Sequence, residues 1–234
     1  MKSRKYTYNT LEVMRGNNKI GLDTLILNMG SATSCPSKAL GLCKLGNKCY
    51  ALKAERLYKD CLPYRTRQAH YWLNNDGDKI IEDFEGLLTS RRTKVDGVLV
   101  VLRAVIKYIR LNESGDFYTQ ECITKAEQIA KYFWQNYKIQ VYTYTARADL
   151  DYENVRYLLV KGSGHDKCPN GMTIARPKAE LQNTYNVLQT GIAGINPAIR
   201  ENDKTYLVCP GDCRDCYHCK TRLPGGPNIV FAIH

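Results

Sequence analysis

Short apolar runs alternate with longer amphipathic stretches along most of this chain, a pattern that predicts strands separated by helices. The run "DTLILNMG" predicts a buried strand over residues 25–29, closed by a glycine. After it, "NKCYALKAERLYKDCLPYRTRQAHYWL" is rich in Ala, Leu, Lys, Glu and Arg and predicts a helix. "KYIRLNESGDF" predicts a strand over 108–112 ending in a polar, glycine-bearing turn. "YTQECITKAEQIAKYFWQNY" places Ile123, Ala126, Ile129, Ala130 and Phe133 at the period of an amphipathic helix. "KIQVYTYTA" predicts a strand over 139–145, and "DYENVRYLLVKGSG" a short helical turn leading into a strand over 157–161. "GMTIARP", "TYLVC" and "GPNIVFAIH" predict further short strands.

Strands linked through helical crossovers pair in parallel, so the expected class is α/β: a partial (β/α) barrel or a largely parallel sheet. The strands near 25–29, 108–112, 139–145 and 157–161 are expected to lie parallel in one sheet. No repeat or long linker interrupts the chain, and the simplest division is an α/β core over 1–204 followed by a cysteine-rich segment and closing strand over 205–234.

Composition narrows the class. The 234 residues are 44% hydrophobic and 24% charged, near globular averages. "GVLVVLRAVI" is the most apolar segment and is too short to cross a bilayer, and "MKSRKYTYNT" lacks the apolar run of a signal peptide, so a cytoplasmic protein without a membrane partner is expected. In a reducing compartment the ten cysteines are expected to be ligands or free thiols rather than bridges. Isolated Cys61, Cys122 and Cys168 read as buried apolar side chains.

The other seven cysteines fall in two groups. "CPGDCRDCYHC" carries Cys209, Cys213, Cys216 and Cys219 with gaps of three, two and two residues. Such gaps resemble those that wrap a 4Fe–4S cubane, whereas zinc sites bring pairs together from separated turns; His218 inside the run keeps zinc as the alternative metal. Cys35, Cys43 and Cys49 stand in the loop between the first predicted strand and the helix after it, where α/β folds bind ligands. Three thiolates would leave one iron of a cubane open, and the trio either forms a second site or shares the first. The alternative is half of a zinc site completed by a C-terminal cysteine.

Charge adds a partner. Lys and Arg total 34 against 23 acidic residues, a formal +11. Residues 36–70 hold Lys38, Lys44, Lys48, Lys53, Arg56, Lys59, Arg65 and Arg67 against Glu55 and Asp60, interleaved with Tyr50, Tyr58 and Tyr64, and Tyr71 follows directly. A basic, tyrosine-bearing face suggests nucleic acid, and a solvated helix face is the plainer reading.

"CYALKAERLY", "RLNESGDF", "VYTYTA", "RYLLVKG", the C-terminal cysteine run and the closing "NIVFAIH" together resemble the phage gene product 88 domain family, from about Leu25 to the end of the chain. The resemblance implies a phage protein working in the host cytoplasm. Its layout is similar to that of radical S-adenosylmethionine enzymes, which implies that Glu113, Ser114, Gly115 and Asp116 bind the cofactor's amino group. The usual radical-enzyme loop has gaps of three and two residues; here they are seven and five. Ser114 or Asp116 capping the following helix is the structural alternative. The function expected is an iron–sulfur, radical-type enzyme acting on a nucleic acid or nucleotide. The alternative is a non-catalytic nucleic-acid-binding module stapled by clusters or zinc.

Overall fold

The computed structural model describes residues 8–181, 198–214, 216, 218–220 and 226–233. The chain opens with β1 (Met14–Arg15) and β2 (Thr24–Leu27), followed by four helices: α1 (Pro36–Ala39), α2 (Tyr50–Leu57), α3 (Cys61–Asn74) and α4 (Gly77–Ser90). A hairpin of β3 (Arg92–Val95) and β4 (Val98–Val101) leads to β5 (Tyr108–Leu111), α5 (Gln120–Tyr137), β6 (Gln140–Thr145) and β7 (Leu159–Ser163). The remainder is β8 (Met172–Pro177), β9 (Ala198–Glu201), β10 (Lys204–Val208) and β11 (Asn228–Ile233).

Nine of these strands form one open sheet in the order β1-β2-β5-β6-β7-β8-β11-β10-β9. Only the outermost pairs, β1 with β2 and β9 with β10, are antiparallel. The four central strands expected to be parallel are so, with Thr24 opposite Tyr108, Tyr108 opposite Gln140 and Tyr142 opposite Leu159. The architecture is a largely parallel sheet, not a closed barrel.

Period-two alternation sends Leu25, Leu27, Ile109, Leu111, Val141 and Val160 to one face. There they pack with Tyr71, Trp72, Ile80, Phe84, Ile129 and Phe133 from the helices. Phe84 and Phe133 meet edge to face with centroids 5.7 Å apart, tying α4 to α5. A smaller, separate core of Met172, Leu181, Tyr206, Val208 and Val230 lies under the β8–β11–β10 end.

The seam between these halves is narrow. β7 and β8 pair only through Gly162 with Met172 and Ser163 with Thr173, so β8 begins where β7 ends. That stagger explains how parallel neighbours are joined by a loop too short for a helical crossover.

The single helix expected across residues 47–73 is broken at Tyr58–Asp60. Pro63 cannot sit inside a continuous helix, since it would remove a backbone donor and clash one turn back; a fresh start at Cys61 places it in a first turn. The helical turn expected before β7 is instead irregular turn structure. Two elements go beyond the expected alternation. Asp76 caps α4 by accepting a hydrogen bond from Lys79 N at 2.8 Å, and Asp96-Gly97, both at positive φ, close the β3–β4 hairpin. Among the described residues no helix is long and apolar enough to cross a membrane.

Candidate metal centre: two cysteine groups and a cation-bearing sheet face

None of the ten cysteines forms a disulfide among the described residues. Cys122 and Cys168 are buried and Cys61 is half-buried at the start of α3. The N-terminal trio follows the C-terminal end of β2. Cys35 stands in extended backbone at the start of α1, with Pro36 as the first helical residue, and its carbonyl accepts Lys38 N and Ala39 N. Burial pushes its thiol up to about 11 against the help of the Lys38 amide. Cys43 N donates to Ser37 O, which folds the loop back until Cys35 feels the charge of both Cys43 and Asp116. Cys49, half-buried, immediately precedes α2.

A buried carboxylate holds this loop in place. Glu55 on α2 accepts hydrogen bonds from Ala32 N (2.7 Å), Thr33 N (3.0 Å) and Thr33 Oγ1 (2.9 Å). It is paired with Arg65 of α3 at 3.0 Å, and both side chains are buried. Burial pushes the Glu55 carboxyl up, but those donors outweigh it and hold it below the ordinary glutamate value.

The 113–116 turn joins the same network. Ser114 N donates to Asn28 Oδ1 at 2.7 Å and Ser114 Oγ to Glu55 at 3.3 Å. Asp116 accepts Ser37 Oγ at 2.5 Å, Ala146 N at 2.8 Å and Phe117 N at 2.8 Å. Neither residue caps α5, whose first flanking position is Thr119, so the capping alternative does not hold. Gly115 has φ +78°, and a Cβ there would lie 2.7 Å from the backbone of Gly30. Only glycine fits, and the two loops interlock. Gly115→Ala is expected to cost about 1–3 kcal/mol for the conformation alone, beyond the displacement of Gly30. Thermal unfolding measures it, and an alanine protein as stable as the parent would contradict the interlock. Of the four turn residues, Glu113 alone keeps a carboxylate with no hydrogen bond or ion pair among the described residues; its carbonyl accepts the Tyr50 hydroxyl at 2.5 Å.

The C-terminal run lies against the sheet rather than beyond it. Cys209 N donates to Val230 O at 2.8 Å, and Cys213 N donates to Lys19 O at 2.6 Å near the opposite edge. The segment therefore crosses the face opposite the α4–α5 core, the face to which β5, β6 and β7 present Tyr108, Arg110, Tyr142, Tyr144 and Lys161. The thiols of Cys209, Cys213, Cys216 and Cys219 are near enough to feel one another's charge. Burial pushes Cys209 up to about 12 and raises Cys213 and Cys219 as well. Tyr144 hydrogen-bonds Cys219.

Three cations border these thiols. Lys161, 3% exposed, donates to Asn170 O and, at 2.7 Å, to Pro227 O. Burial pulls its ammonium down from the usual value and charge at Cys219 opposes that. Lys220, also 3% exposed, donates to Cys213 O at 2.9 Å and lies 4.6 Å over the Tyr108 ring. Arg110 stands over the Tyr144 ring at 5.5 Å and reaches the Tyr50 hydroxyl at 3.4 Å. Its Nε is buried with no hydrogen-bond partner among the described residues. None of the three makes an ion pair with a carboxylate among the described residues.

Arg110 bridges the two groups, with Tyr50, next to Cys49, on one side and the charge of Cys213 felt on the other. The structure thus places the four C-terminal cysteines within electrostatic range of one another, and Cys35 within range of Cys43. Among the described residues no three His, Cys, Asp or Glu side chains stand at metal-binding distance as a set. Donor type and surrounding charge suit a thiolate-ligated metal, and binding would draw the sulfurs inward. Arg110, Lys161 and Lys220 were not expected from the sequence. For Arg110 and Lys161 the available signal was a cation at an alternate position of an otherwise apolar strand, "YIRL" and "LVKG"; Lys220 carried none.

The basic face of residues 36–70 is smaller than its composition implies. Lys44, Lys48, Lys53, Arg56 and Lys59 are exposed and Lys38 half-buried. Arg65 is consumed by Glu55 and Arg67 by Glu12 at 2.6 Å.

No curated protein and no solved structure matches the chain. The family model described as gene product 88 matches residues 5–170, which takes in the N-terminal trio and the 113–116 turn; the C-terminal cysteine run, expected within the resemblance, lies outside the matched residues. With well over half of its length matched, from β1 through β7, the chain belongs to the gene product 88 family of phage proteins.

Proposed function

We propose that this protein is an iron–sulfur protein acting as a radical S-adenosylmethionine-type enzyme on a nucleic acid or nucleotide. In this reading Cys209, Cys213, Cys216 and Cys219 hold a 4Fe–4S cluster, and Cys35, Cys43 and Cys49 hold a second, open one. The observation that carries the metal assignment is the trio of Arg110, Lys161 and Lys220 beside the C-terminal thiols, with no carboxylate ion-paired to them among the described residues. Buried cations are costly unless compensated. Neutral thiols compensate nothing, whereas a cubane on four thiolates carries roughly two net negative charges. A four-thiolate zinc site carries the same charge, so the spacing, not the charge, favours iron.

The trio supports the enzymatic part by its place at the C-terminal end of a parallel strand, where α/β folds bind ligands. Cys35, Cys43 and Cys49 would hold a cubane with an open iron, which would supply the electron for reductive cleavage of S-adenosylmethionine. Glu113 is the residue able to accept the cofactor's ammonium, since its carboxylate is unengaged. Ser114, Gly115 and Asp116 act as positioning residues, with side chains or backbone locked against the loop that carries Cys35.

The test is anaerobic reconstitution with iron and sulfide. A brown protein absorbing at roughly 400 nm, which then yields 5′-deoxyadenosine from S-adenosylmethionine on reduction, supports both parts. A colourless protein with bound zinc overturns the iron reading. Iron without cofactor cleavage favours the non-catalytic binding module, in which the run staples the sheet face through its backbone contacts to Val230 and Lys19. For the nucleic-acid partner, affinity is expected to fall steeply with salt, with a log–log slope of about 0.7 per phosphate contact on a single strand. A flat salt response would discard that partner.

A further inference from the structure

We infer that the protein binds the phosphate backbone of a single-stranded nucleic acid in one defined cleft, between α2 and the end of β8. This inference rests on the nucleic-acid part of the proposed function and gives that partner a site. The cleft encloses about 630 Å³ and is lined by Asn47, Lys48, Cys49, Lys53, Arg56, Leu57, Pro177 and Lys178. Four of these residues are cations and none is acidic. Lys48, Lys53, Arg56 and Lys178 are exposed and make no ion pair among the described residues. Cations converging on a concavity without counterions mark an anion site, because a low-dielectric wall focuses their field.

Lys53 and Arg56 are three apart on α2 and share one helix face, and Lys178 joins them from the 3-10 turn that follows β8, more than a hundred residues away in sequence. The ligand class follows from what lines the cleft. A nucleotide polyphosphate is usually cradled by backbone amides of a glycine-rich loop at a helix start, and among the described residues no glycine lines this cleft. Side-chain cations beside exposed apolar and aromatic surface suit a strand instead. Leu57, the last residue of α2, and Tyr58 just after it, 64% and 66% exposed, follow the cations and offer that surface to bases. Cys49 lies in the cleft wall, so a strand seated there would pass beside the N-terminal cysteine group.

The experiment compares three full-length proteins for binding of a fluorescent single-stranded oligonucleotide at low salt. They are the parent, the combined variant Lys53→Ala, Arg56→Ala, Lys178→Ala, and a control of equal charge loss at exposed positions elsewhere, Arg92→Ala, Lys94→Ala, Lys131→Ala. Roughly tenfold or greater loss in the cleft variant, a salt slope lowered by about 2, and less than about twofold loss in the control would support the cleft. Equal loss in both variants would overturn the cleft while leaving a nucleic-acid partner in place. Absence of parent binding, or binding of a nucleoside triphosphate but no strand, would overturn the inference. Arg56→Glu, a single exposed change, repeats the test if the triple variant melts abnormally.

Discussion

Serine at Cys209, Cys213, Cys216 and Cys219 is expected to remove about half of the iron from the reconstituted protein and to lower its stability by several kcal/mol. The stability loss has a specific origin. Without a thiolate-bound cluster, Arg110, Lys161 and Lys220 remain at the sheet face with no carboxylate ion-paired to them among the described residues. Lys161→Met separates this cause from simple loss of folding. In the iron-loaded parent it is expected to destabilise, because it removes one compensating charge from an anionic centre. In the four-serine protein it is expected to stabilise, because it removes an uncompensated cation. The two opposite signs form a double-mutant cycle whose coupling energy reports the cation–cluster interaction. Chemical denaturation of the four proteins, with iron measured on each, reads it out. Full iron retention in the four-serine protein would exclude the run as a cluster site, and an equal effect of Lys161→Met in both backgrounds would remove the charge argument.

Glu55→Ala is expected to cost about 3–5 kcal/mol, since it leaves the Arg65 guanidinium buried and unpaired and frees the amides of Ala32 and Thr33. The effect should reach the cysteine loop: Cys35, two residues beyond Thr33, should become more reactive toward thiol reagents. Glu55→Gln keeps the shape and isolates the charge. The folded carboxyl titrates below the ordinary glutamate value, so its contribution is fully present above about pH 5 and is lost as the pH falls through the folded value. The parent should therefore lose stability on acidification below about pH 4.5 more steeply than the glutamine protein, as urea midpoints across that range would show. Parallel pH profiles would remove Glu55 from the role given to it.

The strands were legible in the sequence because each combines an apolar run with a flanking glycine or polar turn. β2, β5, β6 and β7 fall within about two residues of their expected bounds, and their parallel pairing follows from the segments between them. The β3–β4 hairpin carried a readable signal in Asp96-Gly97, masked by the apolar "VLVV" after it. The cysteine groups could be found by spacing alone. What spacing could not supply was the third dimension. Nothing in "CPGDCRDCYHC" says that Cys213 reaches back to Lys19, nor that Arg110, Tyr144 and Lys161 come from three different strands to meet the run. Glu55 looked like one surface charge of a basic helix, and its burial is set by a loop twenty residues earlier.

The two-residue overlap of β7 with β8 makes the sheet a hinge-like assembly of two cooperative units. One holds the large core under β2, β5, β6 and β7, the other the small core under β8, β10 and β11. A seam with so few ladder bonds is where sub-global opening starts, so backbone amides of β8, β10 and β11 should exchange with deuterium sooner than those of β5 and β6. The cysteine run spans that seam, anchored at Val230 in one unit and at Lys19 in the other. Metal loading would then act as a latch, and its signature would be slower exchange across the whole C-terminal unit rather than at the cysteines alone.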